Sequence, residues 1–86
     1  MTIRLFSEVA LARHIPEHGL RRGDIATVVE KLPATQAGGG ESGYILEVFN
    51  AVGETIALVT VPVSAVEQLT ASEVLSVRPL GPDETR

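Results

Sequence analysis

The residues best suited to chemistry lie in the first third of the chain, in and around the stretch HGLRRGD. Arg21 and Arg22 are adjacent, and Arg13 and His18 are close to them in sequence. Guanidinium groups donate paired hydrogen bonds to carboxylates and phosphates, so such a cluster favours a partner that carries these groups. We therefore predict a partner-binding patch formed by Arg13, His18, Arg21 and Arg22.

His14 and His18 are four residues apart, a spacing that on a helix places two imidazoles on one face, as in many metal sites. Pro16 lies between them and disfavours that helix, although Glu17 would supply a further ligand. We expect both histidines to be solvent-facing loop residues, and we predict no metal and no cofactor.

Gly19 and Gly23 flank the arginine pair, but they lead into an apolar strand pattern rather than into the helix N-terminus that a phosphate-binding loop requires. We expect them to form corners with positive φ, and Leu20 to be tucked under the core. Asp24, directly after Gly23, is predicted to be a turn residue whose carboxylate accepts local backbone N–H groups.

Catalysis is not indicated, because none of the serines lies in a nucleophile-elbow pattern and so small a chain offers little to exclude water. We predict that the protein is not an enzyme.

Short β-branched runs, separated by Gly, Pro and Asn clusters, dominate the rest of the chain and predict a small all-β barrel or sandwich. The connection 62–73 is the place where a short helix or 3-10 turn fits, because Val63, Val66 and Leu69 follow i, i+3 spacing. The five predicted strands are Glu8 to Arg13, Asp24 to Leu32, Tyr44 to Asn50, Thr55 to Val61 and Val74 to Leu80.

Alternation within the strands predicts which side chains face inward. In the third run Tyr44, Leu46 and Val48 form the cleaner apolar face, and the second run is apolar on both faces, as in a central strand. The glycines at 38–40 predict a disordered hairpin tip, and the tail is expected to fray.

Charge is distributed unevenly. Residues 1–31 carry five basic and four acidic groups, whereas residues 32–86 carry two basic and seven acidic groups, and the net charge is −4. This balance disfavours nucleic acid as a partner unless the arginines form a local patch. With no cysteine and no long apolar run, we expect a cytoplasmic protein without a membrane segment.

The elements IPEHGLRRGDIATVVE, YILEVFNAVGETIALVTVP and LTASEVLSVRPL resemble the DUF4926 family of small bacterial proteins. The order of elements is similar to that of an SH3-like barrel. The resemblance implies a small five-stranded SH3-like barrel with one short helical or 3-10 turn before the last strand. From the length we expect one domain over residues 1–80, and we expect a flexible tail over 81–86 because it has nothing to bury. GLRRGDIATVVE resembles, more loosely, the KOW-type element of SH3-like domains.

From these observations we expect a non-catalytic protein-interaction module. The small size and acidic charge of the chain suggest the hypothesis that it is the antidote or accessory member of a bacterial toxin–antitoxin-like gene pair. The expected partner is another protein, with the product of a neighbouring gene as first choice, or a second copy bound through a strand edge. The alternative is a KOW-like nucleic-acid-binding domain that uses Arg13, Arg21 and Arg22.

Overall fold

The computed structural model describes residues 3–34 and 40–81 of the chain. These residues form five strands and two single-turn 3-10 helices. In chain order the elements are β1 (Glu8–Leu11), η1 (Pro16–His18), β2 (Ile25–Leu32), β3 (Gly43–Phe49), β4 (Thr55–Pro62), η2 (Val63–Ala65) and β5 (Val66–Gln68). The predicted hairpin tip, apart from Gly40, and the predicted tail, apart from Gly81, lie outside the described residues.

The strands form one antiparallel sheet in the order β4-β3-β2-β1-β5. β2 is the middle strand, as its two apolar faces predicted. η2 connects the two edge strands, β4 and β5. The Ala12 N–H donates a hydrogen bond to the Ala65 carbonyl and so holds η2 beside the end of β1. The all-β class, the five strands and the 3-10 turn before the last strand are therefore confirmed. Within the described residues the sheet stays open, because β4 and β5 are its edges.

The core lies on one face of this sheet and follows the predicted alternation, except that Ala10 of β1 is buried as well. Val9 and Leu11 of β1 are buried, as are Leu46 and Val48 of β3, and Tyr44 packs against them. Every buried side chain in the described residues is apolar. The remaining members of the core cluster are Leu20, Ala26, Val28, Val59, Val61, Ala65 and Val66.

Two irregularities in strand pairing bend the sheet. One lies between Val28 and Glu30 against β3, and the other between Val48 and Phe49 against β4. Such bulges place an extra residue in one strand and increase the local twist. The second bulge lies beside the cleft described below.

The predicted position of the last strand is wrong. β5 is Val66–Gln68, inside the segment interpreted as a short helix, and only Val63–Ala65 forms the 3-10 turn. Val66 is an inward strand residue opposite Leu11 rather than part of a helical stripe. Residues 74–80 have no strand partner among the described residues, because β5 already occupies the outer edge of β1 and Pro79 lacks a donor.

Candidate functional site

The loop that precedes β2 is rigidly built. Gly19 (φ 69°) caps η1 in the left-handed region, and Gly23 (φ 92°) turns the chain into β2. Leu20 between them is 3% exposed and belongs to the core, and it pairs with Ile15 through backbone hydrogen bonds. The Gly23 N–H donates to the Leu11 carbonyl over 2.8 Å. These contacts confirm that the glycines are corners and that Leu20 is tucked under the sheet.

The four residues of the predicted patch have different surroundings. The Arg13 guanidinium donates to Ser64 Oγ over 2.9 Å, which directs it towards η2. The Arg22 N–H donates to His14 Nδ1 over 3.1 Å, while His18 is exposed at the end of η1. Arg21 is half-buried beside Asp24. Arg13 and Arg21 thus engage separate elements of the fold.

Arg22 and His14 line a cavity of about 620 Å³ together with Glu67 and Glu73. Arg13 likewise has an acidic neighbour, because Glu41 accepts hydrogen bonds from the same Ser64 that Arg13 contacts. Carboxylates therefore accompany the arginines on both sides of the loop, which weakens the attraction of this region for a polyanion.

Asp24 is the most connected polar residue of the loop. Its Oδ2 accepts the Arg21 N–H over 2.7 Å, which confirms the predicted turn role. It also receives Arg78 from 54 positions further along the chain: Nε donates to Oδ1 over 2.8 Å and Nη2 to Oδ2 over 2.5 Å. The same Nη2 donates to the Gly19 carbonyl over 3.0 Å. We call Asp24 and the Gly19 carbonyl the arginine socket.

The electrostatics of the socket follow from these contacts. Burial alone raises the pKa of Asp24, but the hydrogen bonds from Arg78 and Arg21, with the charges of both arginines, hold that pKa below its ordinary value of 3.8. Both side chains of the ion pair are mostly shielded, with exposed fractions of 23% for Arg78 and 17% for Asp24. The carboxylate is therefore charged at neutral pH and forms an ion pair with the Arg78 guanidinium.

Sequence reasoning did not identify Arg78. One signal was present: Arg78 is the only basic residue between Lys31 and Arg86, and it stands among apolar residues in the acidic part of the chain. Its contact with Asp24 depends on the path of the chain after β5, which the interpretation of 74–80 as a strand obscured.

Arg78 anchors residues 73–81, which we call the strap, across the end of β2. Between the strap and the ends of β3 and β4 lies a cavity of about 620 Å³, which we call the apolar cleft. The β3–β4 turn forms one wall, where Asn50 Oδ1 accepts the N–H groups of Val52 and Glu54. The apolar side chains that line the cleft include Leu20, Ile25, Val48, Phe49, Val52, Ile56, Leu75, Val77 and Leu80.

The apolar cleft is nearly free of net charge. Its charged lining residues are Glu8, Asp24 and Arg78, and the last two neutralise each other. Across the ranges 3–34 and 40–81, no group of three or more His, Cys, Asp or Glu residues is arranged to hold a metal ion. The lining of the cleft is therefore mainly apolar.

One comparison with known proteins identifies the family of this chain. In the part of the chain that the structure describes, no helix has the length and hydropathy needed to cross a bilayer. No curated protein and no solved structure matches the sequence. The family model described as "Domain of unknown function (DUF4926)" matches residues 5–71, which include all five strands and the arginine socket but not the strap. The chain therefore belongs to the DUF4926 family.

Proposed function

We propose that this protein is a non-catalytic interaction module that binds another protein through the apolar cleft. One observation carries the proposal. Ten large hydrophobic side chains are exposed among the described residues, and six of them line the cleft. These six are Phe49, Val52, Ile56, Leu75, Val77 and Leu80. Exposed apolar side chains that are gathered in one region, rather than scattered singly over the surface, favour an interaction site.

The surroundings of the cleft favour a protein over a nucleic acid. The cleft carries one uncompensated charge, Glu8, which would repel phosphate. The basic residues of the KOW-like alternative lie elsewhere, and Arg13 and Arg22 have acidic neighbours. The alternative makes its own prediction, which is binding to RNA or DNA that weakens steeply with salt and is lost when Arg13, Arg21 and Arg22 are replaced by alanine.

Two earlier expectations stay predictions and decide which partners are tried first. The two-gene hypothesis selects the product of a neighbouring gene. Self-association through a strand edge would use β4, an edge strand that carries no charged residue from Thr55 to Pro62.

The test compares two charge-matched variants of the tagged full chain. Val52→Asp places a charge in the cleft at a side chain that is 81% exposed, whereas Leu5→Asp places one at an exposed apolar residue outside it. Both sites are on the surface, so folding is expected to survive, and thermal melts check this. Partner binding is measured by co-expression with the neighbouring gene product and by quantitative capture from lysate.

We expect wild type and Leu5→Asp to retain the same partner and Val52→Asp to lose most of it. Capture that is unchanged in Val52→Asp, or a wild type that retains no protein above the level of an untagged control, would overturn the proposal.

A further inference from the structure

The arginine socket is preorganised by the sheet and does not depend on the strap. Asp24 is oriented by the Arg21 N–H, and the Gly19 carbonyl is fixed by the cap of η1. The loop between them is anchored by buried Leu20 and by the bond from Gly23 to Leu11. Removing the strap would leave these contacts in place, so the socket would persist as an acceptor for a guanidinium.

The strap is held very differently. Its apolar side chains remain largely in solvent: Val74 is 90% exposed, Val77 79% and Leu75 64%. Its described attachment to the loop is through Arg78. A segment whose described hydrogen bonds to the loop all come from one side chain, and whose apolar side chains stay largely exposed, is readily exchanged for another segment that makes the same contacts.

The family match covers the socket but not the strap. Both socket residues lie within the family match at 5–71, whereas Arg78 lies beyond it. In this chain the matched region thus supplies a carboxylate and a carbonyl acceptor, and the segment that follows β5 fills them with Arg78.

From this arrangement we infer that the domain binds extended protein segments in which an arginine is flanked by apolar residues, and that the strap occupies the arginine socket as a competing ligand in cis. The inference rests on the proposed function and names the chemistry of its partner. Charge complementarity selects the arginine, because a guanidinium matches the paired oxygens of Asp24 in a bidentate geometry. The side chains that flank this arginine take the places of Leu75, Val77 and Leu80 as one wall of the apolar cleft, while Phe49, Val52 and Ile56 remain as the other.

The occupant that we assign is a segment of a different protein. The strap of a second copy has the same chemistry, so the experiment must separate the two. The cis strap also sets an expectation for affinity: a tethered ligand acts at a high effective concentration and weakens the binding of any competitor.

The probe is a fluorescent peptide with the sequence of residues 73–81, EVLSVRPLG, and its binding is followed by anisotropy. It is titrated with the full chain as wild type, as Arg78→Ala, and as Arg78→Ala combined with Asp24→Asn. The matched control peptide, EVLSVAPLG, replaces only the arginine and requires no change in the protein.

We expect the Arg78→Ala chain to bind EVLSVRPLG at least about tenfold more tightly than wild type, because the competing guanidinium is gone. Adding Asp24→Asn or using EVLSVAPLG should remove that gain. Asparagine can still accept the Arg21 N–H, so the loop should survive, and a thermal melt verifies this. If the double variant does not fold, the control peptide still decides the question.

Equal binding of the two peptides, or no binding of EVLSVRPLG to Arg78→Ala, would overturn the inference. Wild type that dimerises with rising concentration, and that becomes monomeric with Arg78→Ala, would overturn the assignment to a different protein and give the socket to the strap of a second copy. If no peptide binds but Val52→Asp still loses its captured partner, the proposed function stands and this inference fails.

Discussion

The sheet and the strap are built from similar residues but are held in opposite ways. Val28, Leu46 and Val9 in the sheet are fully buried, whereas Val74 and Val77 in the strap are 90% and 79% exposed. The strap sequence VLSVRPL is as apolar as that of a strand, yet it has no strand partner among the described residues. Strand-forming composition thus does not by itself produce a strand; the path of the chain must also bring the segment alongside an edge of the sheet with a face of the core to cover.

The sheet and the strap also differ in the interactions that stabilise them. The sheet is stabilised by burial of many apolar side chains at once, so that each residue depends on its neighbours. The strap is attached through the ion pair between Arg78 and Asp24. We expect substitutions to affect global stability in the sheet and local attachment in the strap.

The largest expected effect compares two leucines. Leu46→Ala removes a fully buried side chain and should lower the free energy of unfolding by about 2–5 kcal/mol, whereas Leu75→Ala in the strap should cost less than about 0.5 kcal/mol. Urea denaturation followed by circular dichroism measures both. Similar costs for the two variants would show that the strap belongs to the cooperative core and would remove the contrast.

A smaller effect is expected at the attachment itself. Arg78→Ala should lower the free energy of unfolding by only about 1 kcal/mol, because the pair is partly exposed and Asp24 keeps the Arg21 N–H. Hydrogen exchange should nevertheless rise strongly in residues 73–81 and stay unchanged in β2 and β3. Arg4→Ala, at an exposed arginine that lines neither cavity, is the control and should leave exchange in the strap unaltered.

The smallest effect concerns pH. Asp24 has a lowered pKa in the folded protein, so it binds a proton less readily there than in the unfolded chain. Its contribution to stability is complete above its ordinary value of 3.8 and is lost as the pH falls through the lowered folded pKa. The stability advantage of wild type over Asp24→Asn should therefore shrink as pH falls from 5 towards 3, by less than about 1 kcal/mol.

Urea denaturation of both chains at several pH values measures this difference. In the Arg78→Ala background the dependence on pH should be weaker, because a main cause of the lowered pKa has been removed. An advantage of wild type that grows on acidification would contradict the assigned contacts of Asp24.

Much of the fold was predictable because it depends on local pattern. Alternation identified Leu46 and Val48 as inward residues, and apolar character on both faces identified the central strand. Glycines at Gly19 and Gly23 identified corners, since the left-handed region excludes most other residues. In each case the physical cause acts within a few residues of the position.

The last strand was misplaced because two interpretations of Val63, Val66 and Leu69 compete, a helical stripe and a short strand after one turn. Val66 became a strand residue because it pairs with Leu11, which is far away in sequence.

The functional site was predicted only in part, because it too depends on a contact between residues that are distant in sequence. Asp24 was expected to accept backbone N–H groups, but its partner Arg78 is 54 residues away. The partner-binding role of Arg13, His18, Arg21 and Arg22 stays a prediction.

The sequence by itself determined an all-β domain, its central strand, the inward faces of its strands and the two glycine corners, because periodicity and backbone sterics are local properties. The tertiary structure alone decided which segment completes the sheet and which side chain fills the arginine socket. Both depend on contacts between distant parts of the chain, where the available edge of β1 and the charge of Asp24 select among segments of similar composition.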